Sequence, residues 1–337
     1  MDSFFTRYRI EDRSYVSFIK REIHLKIVAA KFNEIDTGKI DIIVSELTSN
    51  LVKHAGAGEL LYRVIAGGGE PTFEILCIDK GPGIVDTASA SRDGMSTTKT
   101  LGQGLGAMSR LSSLFQIFSI RQWGTVLYSR VGPEKDHHPL GKTGFDIDIK
   151  TLCVPKLHEE VCGDGYKIVN THSHLKILFG DGLGHGVHAK EAMDAAENFF
   201  FECEEYDPVD IIRRMHERVR RTRGLVASVA VIDKASMRWN ICGVGNILTR
   251  LYSGIEYRNY MSYNGTVGLN IPKSMNATSI PVERNQHLVM CSDGITSRWT
   301  LTYPATFKYD CTVLAGAIFK DFDRGTDDSS VLIAKVI

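Results

Sequence analysis

The chain has 337 residues, 43% hydrophobic and 24% charged, which is enough for two ordinary domains. Lys plus Arg and Asp plus Glu number 40 each, so a net charge of zero gives no long-range attraction to nucleic acid or a membrane surface. The opening MDSFFTRYRIEDR carries charges where a signal peptide needs an apolar core, and no apolar run approaches the roughly 18 residues of a membrane span. Seven scattered cysteines without a C-x-x-C pair disfavour zinc and disulfide frameworks, and a soluble cytoplasmic protein with reduced thiols is expected.

In chain order, apolar and charged positions alternate at helical spacing over residues 14–31. A stronger helix is predicted over 38–55, with Ile40, Ile43, Val44, Leu47, Leu51 and Ala55 on one stripe and Gly56 and Gly58 after it. Strands are expected at 60–65 and 73–78, a short helix near 104–114, and strands at 116–120 and 125–131. Residues 132–144 hold two prolines, glycines and charges without apolar periodicity and read as a linker between domains 1–131 and 145–337. Beyond it, strands are expected at 147–153, 165–170 and 174–180. Two helices follow, one over 187–202 and one opened by Asp207 as N-cap with Pro208 at its first position. Strands at 225–232, 237–242, 247–252 and 287–291 complete an α+β pattern of helices on antiparallel sheet.

Two constellations carry chemistry. In the first half, Glu46 and Asn50 stand one turn apart on a helix face, off the apolar stripe, where a carboxylate and an amide suit a hydroxyl and a Mg²⁺. Alone, such a pair is an ordinary solvated face. It is followed in order by Asp79-Lys-Gly81-Pro-Gly83 at a strand end, by Gly102-Gln-Gly104-Leu-Gly106 entering a helix, and by Gly124-Thr125 before a strand. The glycine spacing is not that of a dinucleotide fold. This ordered set, carried by SELTSNLVKHAGAGEL and STTKTLGQGLGAMSRL, resembles the GHKL (Bergerat) ATP-binding α/β sandwich. Within that group it is most similar to the anti-sigma-factor serine kinases, especially the switch kinase of stress signalling.

The resemblance covers residues 1–131. It implies that Asn50 binds Mg²⁺ with ATP, that Glu46 is general base on a partner's serine, and that Asp79 reads adenine with Thr125 behind it. Gly81 and Gly83 would shape the pocket, Gly102, Gly104 and Gly106 would cradle phosphates, and residues 87–101 would form a lid.

In the second half, aspartates beside glycine recur at the ends of apolar strands: Gly163-Asp164-Gly165, Gly180-Asp181-Gly182, Ser292-Asp293-Gly294, and finally Asp327-Asp328. One Asp-Gly is a turn. Several, each after a strand, point to an all-oxygen pocket that selects Mg²⁺ or Mn²⁺, two of which activate water against a phosphate ester. The blocks GDGLGHGVHAKEAM, SDGI and DDSS resemble the SpoIIE-like branch of the type 2C metal-dependent protein phosphatases, over residues 145–337, with an α-β-β-α sandwich. That likeness implies metal ligation by Asp164, a bridging Asp181, the Gly182 carbonyl, Asp293, and Asp327 or Asp328, with Asp181 and Asp293 central to catalysis. Gly165 departs from the pattern, since an aromatic residue commonly follows that aspartate.

His185 lies in a glycine-rich turn within reach of phosphate chemistry, though a plain turn residue is the better reading. His188 and the pair His137-His138 read as solvated or structural. The arginine run from Arg213 to Arg223 reads as a solvated helix face.

Together these resemblances imply a partner-switching protein: a serine/threonine phosphatase acting on a STAS-domain phosphoprotein, with an ATP-binding, serine-kinase-like domain that phosphorylates the partner or gates the phosphatase. A homodimer is compatible with this scheme. The rival is a non-catalytic anti-sigma or antagonist-binding module with vestigial sites.

Overall fold

The structure, a computed structural model, describes residues 4–66, 69–87, 101–134, 137–140 and 144–337. The chain divides into two compact units, Met1–Lys135 with Ala305–Lys320, and Asp136–Pro304 with Asp321–Ile337.

The first unit is built on an antiparallel sheet of β1 (Thr6–Ile10), β2 (Gly58–Ile65), β3 (Thr72–Asp79), β4 (Leu114–Ile120) and β5 (Gly124–Val131), in the order β1-β2-β3-β5-β4. Helices α1 (Val16–Ala29), α2 (Glu34–Asn50) and α3 (Leu101–Leu111) cover one face. Helix α2 begins four residues before the expected start, because Asn33 caps it by accepting from the Asp36 N–H at 2.8 Å. Its apolar stripe packs as expected: Ile40, Ile43, Val44, Leu47 and Leu51 are buried against Ile75, Cys77 and Leu127 of the sheet. Past Asn50 the helix widens into a π-turn, Leu51–Ala55, which Gly56 ends at φ 78°.

Alternation along β3 sends Ile75 and Cys77 to that core and Glu74, Leu76 and Ile78 to the other face. That second face is also buried. The later segment Ala305–Lys320 belongs to this unit and brings most of α6 (Cys311–Phe322). Gly316 brings the helix close to the sheet, since a Cβ there would meet Val126 at 3.0 Å and Leu76 at 3.3 Å. Lys320 donates to the Trp123 carbonyl at 2.6 Å, and the Arg7 guanidinium sits 5.1 Å from the Phe319 ring. Every residue from Cys311 to Lys320 is buried, as an all-round apolar helix requires.

The second unit stacks two antiparallel sheets. One runs β14-β11-β10-β9-β8, from β8 (Asp164–Asn170), β9 (His174–Gly182), β10 (Leu225–Asp233), β11 (Arg238–Val244) and β14 (Thr278–Pro281). The other runs β13-β12-β15-β16-β7-β6, from β6 (His137–Pro139), β7 (Asp146–Val154), β12 (Leu248–Ser253), β13 (Glu256–Tyr260), β15 (Gln286–Cys291) and β16 (Ser329–Val336). Ile177, Phe179 and Trp239 meet Ile149, Leu288, Met290 and Leu332 between them. Helices α4 (Val187–Glu202) and α5 (Pro208–Arg218) cover the outer face of the first sheet through Met193, Phe200, Ile212 and Met215. The Asp207 cap is as expected: its carboxylate accepts from the Val209 N–H at 2.7 Å. The arginine run is corrected, because α5 stops at Arg218 and leaves Arg220, Arg221 and Arg223 beyond the helix.

On the covered second face of the first unit, Glu74 (1% exposed) accepts from Arg63 Nε at 2.5 Å and from the Tyr128 hydroxyl at 2.6 Å. Removing one partner of a buried pair strands the other charge. Glu74→Ala is therefore expected to lower stability by about 3–5 kcal/mol, read as a drop in the denaturant midpoint of the full chain.

Candidate functional site

In the first unit a cavity of about 210 Å³ opens between the π-turn, the end of β3 and α3. Leu47, Asn50, His54 and Ala55 line one side, Asp79, Pro82, Gly83 and Ile84 another, and Thr125 and Leu127 the floor. Asp79 and Thr125 face each other across β3 and β5. Asp79 Oδ1 accepts from the Gly81 N–H at 2.8 Å, and Thr125 Oγ1 is 3.0 Å from Ser119 Oγ. Burial pushes the Asp79 carboxyl above its ordinary value, while hydrogen bonds from Gly81 and Thr125 pull it back. A largely apolar cavity with one carboxylate in its wall has the polarity for a heterocycle with an exocyclic amine. Gly83 (φ 74°) is required because any side chain would overlap the Ile120 carbonyl.

Asn50 joins this cavity as expected, and Glu46 does not line it. The Glu46 carboxylate lies against Gly104 of α3, where a Cβ would overlap Oε2. Gly102, Gly104 and Gly106 all fall inside α3, which starts at Leu101 rather than near 104. Of the expected lid, 87–101, residues 88–100 lie outside the described residues. His54 and Leu105 are cavity residues that sequence reasoning missed. A helix continued regularly through 51–55 gives no hint of the π-turn that carries His54.

In the second unit the aspartates gather at one end of the stacked sheets. Asp164 and Asp181 are cross-strand partners on β8 and β9. Asp293 follows β15, and Asp327-Asp328 precede β16. Their fields overlap. Burial pushes the Asp181 carboxyl up to about 10, with Asp164, Asp293, Asp327 and Asp328 adding in that order. Asp164 is pushed up to about 7 by burial and then by the Asp328 charge. Gly182 passes so close beneath α4 that a Cβ would overlap the Ala189 carbonyl. Gly165 is explained in the same way, since Met193 and Glu197 of α4 occupy the space an aromatic ring would need.

The hydrogen bonds divide the carboxylates by task. Asp328 uses both oxygens on backbone, accepting from the Lys156 N–H at 2.7 Å and the Gly163 N–H at 2.6 Å. Asp327 is half-buried and accepts the neighbouring Asp328 N–H at 2.9 Å. Asp293 Oδ2 accepts from Asn246 Nδ2 at 3.1 Å, and Arg324 donates to its carbonyl at 3.0 Å. Asp164 Oδ2 accepts from the Ser292 hydroxyl at 2.7 Å, and Asp164 Oδ1 is buried without a well-formed hydrogen bond.

Crowded hard oxygens with a buried orphan among them suit a divalent cation, which supplies the missing counter-charge. Among the described residues, no three His, Cys, Asp or Glu side chains are already drawn together as a finished ligand set. The fit therefore rests on donor chemistry and mutual electrostatics.

Asn246, Ser292 and Arg324 were not legible beforehand, because their partners are 31 to 128 residues away. His185 pairs with Glu159 at 2.6 Å, and His188 with Glu191 at 3.0 Å on its own helix.

Comparison with known proteins agrees with this division. The Histidine kinase-like ATPase domain family matches residues 20–130, and the Stage II sporulation protein E (SpoIIE) family matches residues 171–336. The Serine/threonine-protein kinase RsbT of Bacillus subtilis (strain 168) is 35% identical over 96 residues, 28% of this chain and 72% of that protein. The Phosphoserine phosphatase RsbX of the same organism is 31% identical over 108 residues, 31% of this chain and 54% of that protein, so the chain spans about half of that relative's length. A solved structure described as "The bacterial stressosome: a modular system that has been adapted to control secondary messenger signaling" superposes on 57% of this chain and 99% of its own at TM-score 0.51, with 25% identity. The chain thus belongs to the RsbT-type, histidine kinase-like ATPase family through its N-terminal domain, to which it joins a SpoIIE-type PP2C phosphatase domain.

Proposed function

We propose that the chain is a partner-switching signalling enzyme: a Mg²⁺- or Mn²⁺-dependent serine/threonine phosphoprotein phosphatase joined to an ATP-binding, serine-kinase-like domain. The observation that carries the reading is the gathering of five aspartates at one end of two stacked sheets, with Asp164 and Asp181 as cross-strand partners and the others at the ends of β15 and β16. The two relatives, a serine/threonine-protein kinase and a phosphoserine phosphatase, carry chemically opposed activities, which suits a chain that joins both domain types in a phosphorylation cycle. A small STAS-domain phosphoprotein is the substrate class that suits such a cycle. All seven cysteines are free and buried, which supports a reducing, cytoplasmic setting.

In the phosphatase domain, Asp164, Asp181, Asp293 and Asp327 are the side chains that would hold two divalent ions, with the Gly182 carbonyl as a further donor. Such ions supply Lewis-acid polarisation of the phosphate and water activation at neutral pH. The protein's part is positioning. Asp328 ties the start of β16 to the segment after β7 through the Lys156 N–H and to the Cys162-Gly163-Asp164 loop through the Gly163 N–H. Asn246 and Arg324 hold Asp293 from its side chain and its backbone. The mutual repulsion of the carboxylates makes the cluster a strong attractor for cations and a poor one for anions other than a metal-bound phosphate.

In the ATP-binding domain, Asp79 with Thr125 would read the base, Gly81 and Gly83 would bring backbone close to it, and Asn50 would reach a phosphate-bound Mg²⁺. Glu46 stands one turn before Asn50, outside the base slot and against α3, where a partner's serine would have to approach. The intact pair supports retained kinase competence. The alternative, a binding module with vestigial sites, is disfavoured by the complete acidic cluster.

Four variants test this reading. Asp293→Asn is expected to lower Mn²⁺-dependent p-nitrophenyl phosphate hydrolysis at least about 100-fold, since a mispositioned ion forfeits several kcal/mol; wild-type hydrolysis that is absent, or no faster with Mn²⁺ than with chelator, would favour the vestigial reading. Glu46→Ala should abolish phosphate transfer from ATP to a STAS protein while leaving fluorescent ATP binding intact, scored by phosphoprotein gel; unchanged transfer would remove Glu46 as base. Asp327→Asn should weaken Mn²⁺ binding in calorimetry with little change in melting. Asp328→Ala should instead lower melting, because two buried N–H groups lose their acceptor at about 1–3 kcal/mol each.

A further inference from the structure

Ser292 precedes Asp293 but points away from it, and its hydroxyl does something the aspartates cannot do for themselves. The side chain is 2% exposed. Its oxygen accepts from the Ser330 N–H at 2.9 Å, and its own N–H donates to the Ser330 carbonyl at 3.1 Å. These two bonds extend the β15–β16 pairing one step past Cys291 and Val331, the last register partners. They fix the hydroxyl by backbone on both sides.

The direction of the remaining bond follows from counting protons. A backbone N–H only donates, so toward Ser330 the Ser292 oxygen is an acceptor. Its single hydrogen is then left for Asp164 Oδ2, 2.7 Å away. That hydrogen bond joins the second sheet, which carries Ser292, to the first, where Asp164 opens β8. One oxygen of the carboxylate is held by Ser292, the nearby Ser330 hydroxyl also favours its charged form, and the other oxygen, Oδ1, is buried without a well-formed hydrogen bond. A carboxylate secured through one oxygen by a neutral donor keeps its charge for whatever the other oxygen faces.

We propose that Ser292 is a positioning residue of the phosphatase centre, whose hydroxyl orients Asp164 so that Oδ1 is presented to the divalent ion. Asn246 does the same for Asp293, taking Oδ2 at 3.1 Å from an exposed turn, but only Ser292 is fixed by two backbone bonds in a dry environment. The assignment rests on the metal reading of the aspartate cluster. It also has a structural rival, that the hydroxyl merely stitches two sheets together.

The test uses the full chain and titrates MnCl₂ by calorimetry, with thermal melting in chelator and fluorescent ATP-analogue binding measured alongside. Ser292→Ala is expected to weaken Mn²⁺ binding about 10-fold or more, with nucleotide binding unchanged. Ser292→Thr, which restores the hydroxyl, should return Mn²⁺ affinity to within about 2-fold of wild type. Unchanged affinity in Ser292→Ala overturns the assignment, and so does an equal loss in the alanine and threonine variants, because then the hydroxyl is not what matters. If Ser292→Ala does not fold, Ser292→Cys, of similar volume and weak as a donor, is held to the same criterion. Asp293→Asn separates this inference from its foundation. If wild type binds no Mn²⁺, or Asp293→Asn binds as wild type does, the metal reading falls. If Asp293→Asn loses the ion and Ser292→Ala keeps it, only the role of Ser292 falls.

Discussion

Five carboxylates forced into one neighbourhood are the constraint on which the phosphatase half turns. Burial and the neighbouring charges raise the energy of the charged forms of Asp164, Asp181 and Asp328. The two-sheet architecture brings them together regardless, because β8, β9, β15 and β16 all present an aspartate at the same end. What keeps the arrangement tolerable is a ring of neutral donors. Backbone N–H groups of Lys156 and Gly163 satisfy Asp328, and Ser292 and Asn246 each take one oxygen of a partner. The glycines beside these aspartates serve the same end by letting strand backbone pass within contact of α4 and of the β16 entry.

The ATP-binding half solves an opposite problem. Its cavity is mostly apolar, and one carboxylate, Asp79, is enough to give it direction. Polarity in the first unit is concentrated on the far face of the sheet, in the Arg63–Glu74–Tyr128 set, where every charge has a partner. The two halves thus place charge differently: unbalanced and clustered where phosphate chemistry is proposed, balanced and sealed where only stability is at stake.

Much of this was legible from local pattern. The stripe on α2, the capped start of α5 and the order of the acidic motifs all rest on neighbours within a few residues. What escaped depends on distant partners. Strands β13 and β14 are short, with exposed positions that lack an apolar alternation. The different tasks of Asp327 and Asp328 are set by N–H groups more than 160 residues earlier in the chain. The π-turn after Asn50 and the helical setting of Gly104 depend on the packing of α2 against α3. Placement of Ala305–Lys320 with the first unit has no sequence signature, because an all-round apolar helix says that it is buried without saying by what.

That last placement has a consequence for how the chain is made. The sheet of the first unit leaves the ribosome complete by about residue 131, but the segment that covers Leu76, Ile78 and Val126 begins only at Ala305. At the usual 5–20 residues per second, the uncovered face waits roughly ten to thirty seconds for it. During that interval an apolar strand surface is open to solvent and to neighbouring nascent chains, which makes early chaperone capture valuable. Gene truncation meets the same obstacle permanently: a fragment ending after β5 would lack the segment that packs on Leu76, Ile78 and Val126.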